Sequence, residues 1–177
     1  MKSRYLLVPL LVVAVDQWSK WLIEERFALH EGVTVIPGFF NLVHVLNTGI
    51  AFGLFPSRGE TFGTVLLAVL GLAALSIVGV YFSRAESHQR LLLFALALIM
   101  GGAVGNLIDR LLLGAVTDFL DVYVSDWHWP TFNVADSAIS VGIGLLALET
   151  LRSPKTSNSA ETTTGRERDL DSKTAGV

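Results

Sequence analysis

Val116-Thr-Asp-Phe-Leu120 and Phe132-Asn-Val-Ala-Asp-Ser-Ala-Ile139 are two apolar stretches that each contain one carboxylate, Asp118 in the first and Asp136 in the second. The aromatic-rich segment 123–129 lies between them. Tyr and Trp are enriched where membrane spans meet water, so this segment predicts a membrane interface. We therefore predict that Asp118 and Asp136 meet at the edge of a bilayer, and we interpret the rest of the chain around that pair.

Four apolar runs predict helices that cross the membrane. Of the 177 residues, 51% are hydrophobic and only 16% are charged, which is too apolar for an ordinary soluble domain. A helix needs about 20 residues to cross the hydrocarbon core. Runs near this length cover residues 5–23, 62–82, 91–108 and 132–148. We expect a mainly α integral membrane protein with these four transmembrane helices in one domain, residues 1–152.

Short basic flanks predict the orientation of the spans. By the positive-inside rule, the flanks that carry Lys and Arg lie in the cytoplasm, so both termini are expected there. Segments 26–61 and 111–131 are then expected outside. The basic residues that set this orientation are Lys2, Arg4, Arg84, Arg90, Arg152 and Lys155.

Two segments outside the spans have their own composition. Residues 33–38 and 41–46 are rich in β-branched side chains and are punctuated by Gly and Pro, which predicts short strands. We expect a small extracytoplasmic β-sheet after the first helix, within residues 27–61 or so. Residues 153–177 contain almost nothing apolar and are expected to form a disordered cytoplasmic tail.

Polar side chains inside the spans are candidates for the bundle interior. Asp16 and Lys20 are one helical turn apart and are expected to pair, either as a structural ion pair or in contact with substrate. Asn106, Asp109 and Arg110 end the third span on one face, and Asp109 would most simply pair with Arg110. The Gly-x-x-x-Gly spacing 101–105 predicts close packing with another helix.

Two close carboxylates can hydrolyse a peptide bond if they share one proton. The neutral acid then donates a hydrogen bond while the ionised acid acts as a general base toward water. With no cysteine and no His-Glu-x-x-His, the chain offers no thiol nucleophile and no zinc motif. We expect no metal and no cofactor, and a net charge of −3 without a basic stripe argues against nucleic acid.

The residues alone leave alternatives open. Intramembrane acids mark proton and ion pathways as readily as catalytic sites, so a small proton-coupled transporter is one alternative. A non-catalytic membrane scaffold is another. In the plainest interpretation, Asp136 caps the fourth helix and Asp118 pairs with Arg110.

Five motif blocks, in order and in register, resemble the bacterial lipoprotein signal peptidase (signal peptidase II) family over residues 5–150. Each block alone is weak, but the set is specific. The blocks are Asp16-Gln-x-Ser-Lys20, Asn47-Thr-Gly-x-Ala-Phe52, Gly102-x-x-Gly-Asn-x-x-Asp-Arg110, Val116-Thr-Asp-Phe119 and Phe132-Asn-x-Ala-Asp-Ser137.

The resemblance implies an aspartyl endopeptidase of the bacterial inner membrane, with its active site near the outer face. Such an enzyme cuts the signal peptide from diacylglyceryl-modified prolipoproteins just before the lipidated Cys, in contact with membrane lipid, and globomycin inhibits it. Asp118 and Asp136 fall on the catalytic positions. The positions that support the site or bind substrate correspond to Asp16, Lys20, Asn47, Gly49, Asn106, Asp109, Arg110, Asn133 and Ala135.

Overall fold

The computed structural model describes residues 2–49 and 59–152, with side chains from residue 63 onward in the second range. Part of the predicted β segment, residues 50–58, and the predicted tail, residues 153–177, lie outside these ranges. A 3₁₀ turn, Lys2–Leu6, precedes the first helix. The elements that follow are α1 Leu7–Arg26, β1 Gly32–Ile36, β2 Phe40–Asn47, α2 Gly59–Arg84, α3 Arg90–Leu112, β3 Val116–Val124, β4 Trp127–His128 and α4 Val134–Arg152.

The four helices confirm the prediction of four apolar helices. Each is long and apolar enough to cross a membrane. The helix α3 is the most buried of them and packs against α1, α2 and α4. The apolar surfaces of α1 and α2 are largely exposed, as expected for helices that face lipid on several sides.

Close helix packing depends on glycines of α3. A Cβ at Gly101 would lie 2.7 Å from the Cβ of Val12 on α1, and a Cβ at Gly105 would lie 2.6 Å from Oδ2 of Asp16. A Cβ at Gly102 would overlap the carbonyl oxygen of Ala135 on α4. The glycines therefore let α1 and α4 approach α3 from two sides, as the Gly-x-x-x-Gly spacing predicts.

The sheet is larger than the sequence predicted. Four antiparallel strands lie in the order β1-β2-β3-β4, so segment 111–131, for which we predicted no strand, supplies two of them. The β3 strand was missed because its first four residues are all buried, and a strand that is covered on both faces lacks the alternating pattern.

Strand pairing brings distant polar residues together. In the β2–β3 ladder, Val45 lies opposite Asp118 and Asn47 lies opposite Val116. The backbone at Phe132 pairs with Leu120, which places the start of α4 beside β3. The beginning of β3, the end of β2, the last turns of α3 and the N-terminus of α4 therefore meet in one place.

Candidate active site

Asp118 is held between two asparagine amides. Its carboxyl group is only 1% exposed on β3. The side chain of Asn47 donates to Oδ2 at 2.9 Å, and that of Asn133 donates to Oδ1 at 2.7 Å. Asn47 is itself fixed, because its Oδ1 accepts the backbone N–H of Gly49, whose φ of +73° suits glycine. Both oxygens of Asp118 therefore already have donors.

Asp136 lies in the first turn of α4, and one of its oxygens is bound by Asn106 on α3. The Asn106 amide donates to Oδ1 of Asp136 at 2.7 Å. The interpretation of Asp136 as the helix cap is wrong, because Asn133 has that role. The side-chain oxygen of Asn133 accepts the backbone N–H of Asp136 at 2.9 Å, the usual arrangement of an Asn cap.

The two carboxyl groups belong to one hydrogen-bonded frame. The amide of Asn133, which binds Asp118, also donates to Oδ1 of Asn106 at 3.1 Å, and Asn106 binds Asp136. The charge of Asp136 acts directly on Asp118. The structure thus brings together the two acids that the sequence analysis singled out, although they lie on different elements.

The environment of Asp118 raises the pKa of its carboxyl group above the ordinary value. Burial raises the pKa of Asp118 to about 6, and the nearby charge of Asp136 adds to the effect. The hydrogen bonds from Asn47 and Asn133 oppose the shift because they stabilise the carboxylate. The pair can therefore retain a proton at a pH where an exposed aspartate would be fully ionised.

A second pair of carboxylates lies behind the first and is neutralised by Lys20. The ammonium group lies 2.8 Å from Asp16, 2.8 Å from Asp109 and 3.1 Å from Oδ1 of Asn106. The predicted Asp16–Lys20 pair is confirmed. The predicted Asp109–Arg110 pair is wrong, since Asp109 pairs with Lys20 across the α1–α3 interface. Lys20 is 2% exposed, and its three N–H donors meet three acceptors.

The ion triad of Asp16, Lys20 and Asp109 also anchors α4. Oδ1 of Asp16 accepts the backbone N–H of Ala135 at 2.8 Å, which satisfies one of the free donors at the start of that helix. Gln17 donates to Oδ1 of Asp109 at 2.7 Å. The small side chain of Ala135 is fully buried between the helices. The triad therefore fixes the helix that carries Asp136.

Arg110, another predicted site residue, makes no hydrogen bond or salt bridge to Asp118 or Asp136 in the part of the chain that the structure describes. Its guanidinium donates to the carbonyl oxygen of Asn106 at 3.2 Å and interacts electrostatically with Asp136. Within residues 2–49 and 63–152, no carboxylate lies within the 4.0 Å of a salt bridge to it, so the suggested Asp118–Arg110 pair is wrong. Arg110 lines a separate cleft of about 470 Å³ together with Leu46 and Thr48.

Two residues of the site were missed by the sequence analysis. Thr117 is fully buried, its N–H donates to Asp109 at 3.2 Å, and its hydroxyl donates to Glu24 at 2.6 Å. Glu24 follows Lys20 by four residues and so shares its helix face, a spacing that could have found it. No sequence spacing could have predicted the role of Thr117, because its partners lie on other elements.

Asp121 lies in a different environment on the same strand. Asn41 donates to one oxygen at 2.8 Å, and His128 binds the other at 2.8 Å. Burial alone would raise the pKa of Asp121, but the hydrogen bonds from His128 and Asn41 outweigh it and hold the pKa below its usual value. Asp121 therefore stays ionised and ties β3 to Asn41 and His128.

A cleft of about 420 Å³ opens beside Asp136. Segment 129–132 forms one wall, and Asp136, Ser137, Ser140 and Val141 of α4 form the other. Its lining is mostly apolar apart from the carboxyl group and hydroxyls. A substrate in this cleft would have a reactive bond within reach of Asp136.

The sequence of the chain matches the family model described as Signal peptidase (SPase) II over residues 8–152. The chain belongs to the signal peptidase II family. Signal peptidase II relatives named lipoprotein signal peptidase include one from Solibacter usitatus, 45% identical over 82% of this chain and 88% of the relative. Another, from Desulforapulum autotrophicum, is 50% identical over 79% of this chain and 86% of the relative.

Solved structures support the same assignment. A bacterial membrane enzyme solved by the in meso method at 2.3 Å resolution is 32% identical, with a TM-score of 0.69 over 90% of this chain and 93% of that one. A second such structure, at 1.9 Å resolution, gives a TM-score of 0.71 at 31% identity over 86% of this chain and 95% of that one. The chain is therefore a member of a bacterial peptidase family, and its four long apolar helices fit a multi-pass membrane protein.

Proposed function

We propose that this protein is an aspartyl endopeptidase that removes the signal peptide from diacylglyceryl-modified prolipoproteins, cutting immediately before the lipidated Cys. Family membership supports the substrate class. The observation that carries the mechanism is the frame of asparagine amides that joins Asp118 to Asp136, together with the cleft that opens beside Asp136. Two carboxylates so placed can hold one proton between them.

The proposed reaction uses the singly protonated pair. The ionised acid removes a proton from water, the resulting hydroxide attacks the scissile carbonyl, and the neutral acid donates its proton to the developing oxyanion. Collapse of the tetrahedral intermediate breaks the C–N bond, and a proton passes to the amino group of the released Cys. Each cycle returns the pair to one proton.

We also propose the position of the site in the cell envelope. The basic flanks support a bacterial inner-membrane protein with both termini in the cytoplasm and with the sheet and both acids near the outer face. Residues 1–152 form the peptidase domain, and residues 153–177 form a cytoplasmic tail. A substrate held in the membrane by its lipid and its signal helix would then enter laterally, and globomycin would compete with it.

The direct test is cleavage by the purified full-length protein in lipid vesicles. We expect it to cut a prolipoprotein that carries diacylglyceryl and to leave the same precursor intact when the lipid is missing. Equal cleavage of both forms would refute the substrate class. If neither precursor is cut while the vesicles show pH-dependent proton flux, the transporter hypothesis would replace the peptidase.

A further inference from the structure

Every polar group of Thr117, the residue before Asp118, is bound by another part of the fold. Its N–H donates to Asp109 on α3 at 3.2 Å, and its hydroxyl donates to Oε1 of Glu24 on α1 at 2.6 Å. Its carbonyl oxygen accepts the amide of Asn133 at 3.4 Å. The residue is fully buried. The backbone next to the reacting acid is therefore held by α1, by α3 and by the residue that caps α4.

The bond between Thr117 and Glu24 is not needed to neutralise or solvate Glu24. Within residues 2–49 and 63–152, Glu24 forms no salt bridge, unlike the two aspartates of the Lys20 triad. It is exposed and lines a small cleft of about 150 Å³ between α1 and the end of α3, so water can reach its carboxylate. A hydrogen bond from a hydroxyl to a carboxylate is about twice as strong as one between neutral groups. The group that this bond fixes is therefore Thr117.

Thr117 and Glu24 lie away from the cleft beside Asp136. Successive side chains of a strand point to opposite faces, so Thr117 points toward α1 while Asp118 points toward the asparagine amides. Neither Thr117 nor Glu24 lines the cleft. Glu24 is also not among the groups that shift the pKa of Asp118. An effect of either residue on the reaction can therefore pass only through the position of β3.

We propose that Glu24 and Thr117 are positioning residues for the peptidase reaction, an inference that rests on the proposed function. Their bond ties β3 to α1 and so holds the carboxyl group of Asp118 where it can share a proton and a water molecule with Asp136. Without the bond, β3 keeps its ladder with β2 but is free to shift relative to α1. A misplacement of about 1 Å can cost about a hundredfold in rate, so even a smaller shift should lower kcat.

The main test is Glu24→Ala in the full-length protein, with Glu25→Ala as the matched control. Glu25 is the next residue of α1 and carries the same charge, but its side chain forms no hydrogen bond or salt bridge within residues 2–49 and 63–152. We expect Glu24→Ala to lower kcat about tenfold on a lipidated precursor and to leave KM within about twofold of wild type. Glu25→Ala should change neither constant. Glu24→Gln keeps the oxygen that accepts the hydroxyl and should restore kcat to within about threefold of wild type.

Substitutions of Thr117 test the other partner of the bond. Valine keeps the shape of threonine without the hydroxyl, so Thr117→Val should also lower kcat about tenfold. Thr117→Ser keeps the hydroxyl and should stay within about threefold of wild type. In the double variant of Glu24→Ala and Thr117→Val, kcat should be about the same as in either single variant, because all three proteins lack the same bond.

A purely structural role would give a different result. The variants would then unfold at lower temperature while kcat per folded molecule, measured well below that temperature, stays within about twofold of wild type, and the inference would be overturned. Losses that multiply to about a hundredfold in the double variant would also overturn it, because the two residues would then act separately. A shift of the basic limb of kcat/KM in Glu24→Ala would overturn it as well, since the charge of Glu24 would then act on the acids directly.

The same experiment keeps this inference separate from the proposed function. A wild-type protein that cuts the lipidated precursor, with Glu24→Ala as active as Glu25→Ala, would overturn the inference alone. Failure of the wild-type protein to cut any lipidated precursor would instead overturn the proposed function, and this inference with it.

Discussion

Two pairs of aspartates lie close together in this protein, and within the described residues only one of them forms salt bridges to a cation. Asp16 and Asp109 share Lys20, which is 2.8 Å from each of them. Asp118 and Asp136 are held by asparagine amides, and no salt bridge reaches them within the described ranges 2–49 and 63–152. The same side chain therefore serves two purposes, according to whether its charge is neutralised.

This difference explains how a structural ion triad and a reactive pair of acids can lie next to each other. In the Lys20 triad, every N–H of the ammonium group has an acceptor, so the three side chains form a fixed structural support. In the other pair, burial and like charge raise the pKa of Asp118 to about 6. Asn106 joins the two regions, because it accepts from Lys20 and donates to Asp136.

The largest expected effect is a loss of stability when Lys20 is removed from between Asp16 and Asp109. Lys20→Met leaves the two buried carboxylates of Asp16 and Asp109 without their cation and should lower the free energy of unfolding by about 3–5 kcal/mol. Thermal unfolding in detergent measures this loss. Adding Asp16→Asn and Asp109→Asn to the variant should recover much of it, because no unpaired charge remains. A Lys20→Met protein within about 1 kcal/mol of wild type would contradict the structural role of the triad.

A smaller loss of stability is expected when a substitution displaces Asp16 but keeps all three charges of the triad. Gly105→Ala places a Cβ 2.6 Å from Oδ2 of Asp16 and should cost about 1–3 kcal/mol of stability. Gly71→Ala is the matched control in α2, since a Cβ there meets nothing within 4 Å. The control should unfold at or slightly above the wild-type temperature. Equal stability of the two alanine variants would show that Asp16 is not tightly packed against α3.

The smallest effect should appear in the pH dependence of the reactive pair. The hydrogen bond from Asn47 lowers the pKa of Asp118, so Asn47→Ala should raise that pKa further above its ordinary value. The active pair must keep one proton, and a higher pKa lets it keep the proton to higher pH. The basic limb of kcat/KM should therefore move to higher pH in the variant, while the maximal rate falls about tenfold.

Asn41→Ala serves as the control for that profile. Asn41 makes the equivalent bond to Asp121, so its removal should leave the basic limb in place. If the basic limb of kcat/KM moves to lower pH in Asn47→Ala, or moves equally in both variants, then the pKa of Asp118 does not determine that limb.

The sequence was informative wherever the signal is local. Length and apolarity predicted the four helices, and the four-residue spacing predicted the Asp16–Lys20 pair. Contacts between segments that are far apart in the sequence could not be predicted from it. Asp109 was assigned to its neighbour Arg110, although its partner Lys20 lies on α1. The strand β3 was not predicted, because burial on both faces removes the alternating pattern of a strand. The acids themselves were found through their isolation among apolar residues, and the motif blocks then singled them out.

Cleavage of a diacylglyceryl-modified precursor by Asp136→Asn tests the central claim most directly, with Asp121→Asn measured beside it. One oxygen of Asp136 accepts the Asn106 amide, and an asparagine can keep that bond, so the variant should fold. We predict a loss of about a thousandfold or more in kcat for Asp136→Asn and nearly full activity for Asp121→Asn. A folded Asp136→Asn protein that cuts within about tenfold of wild type would contradict the role of the pair.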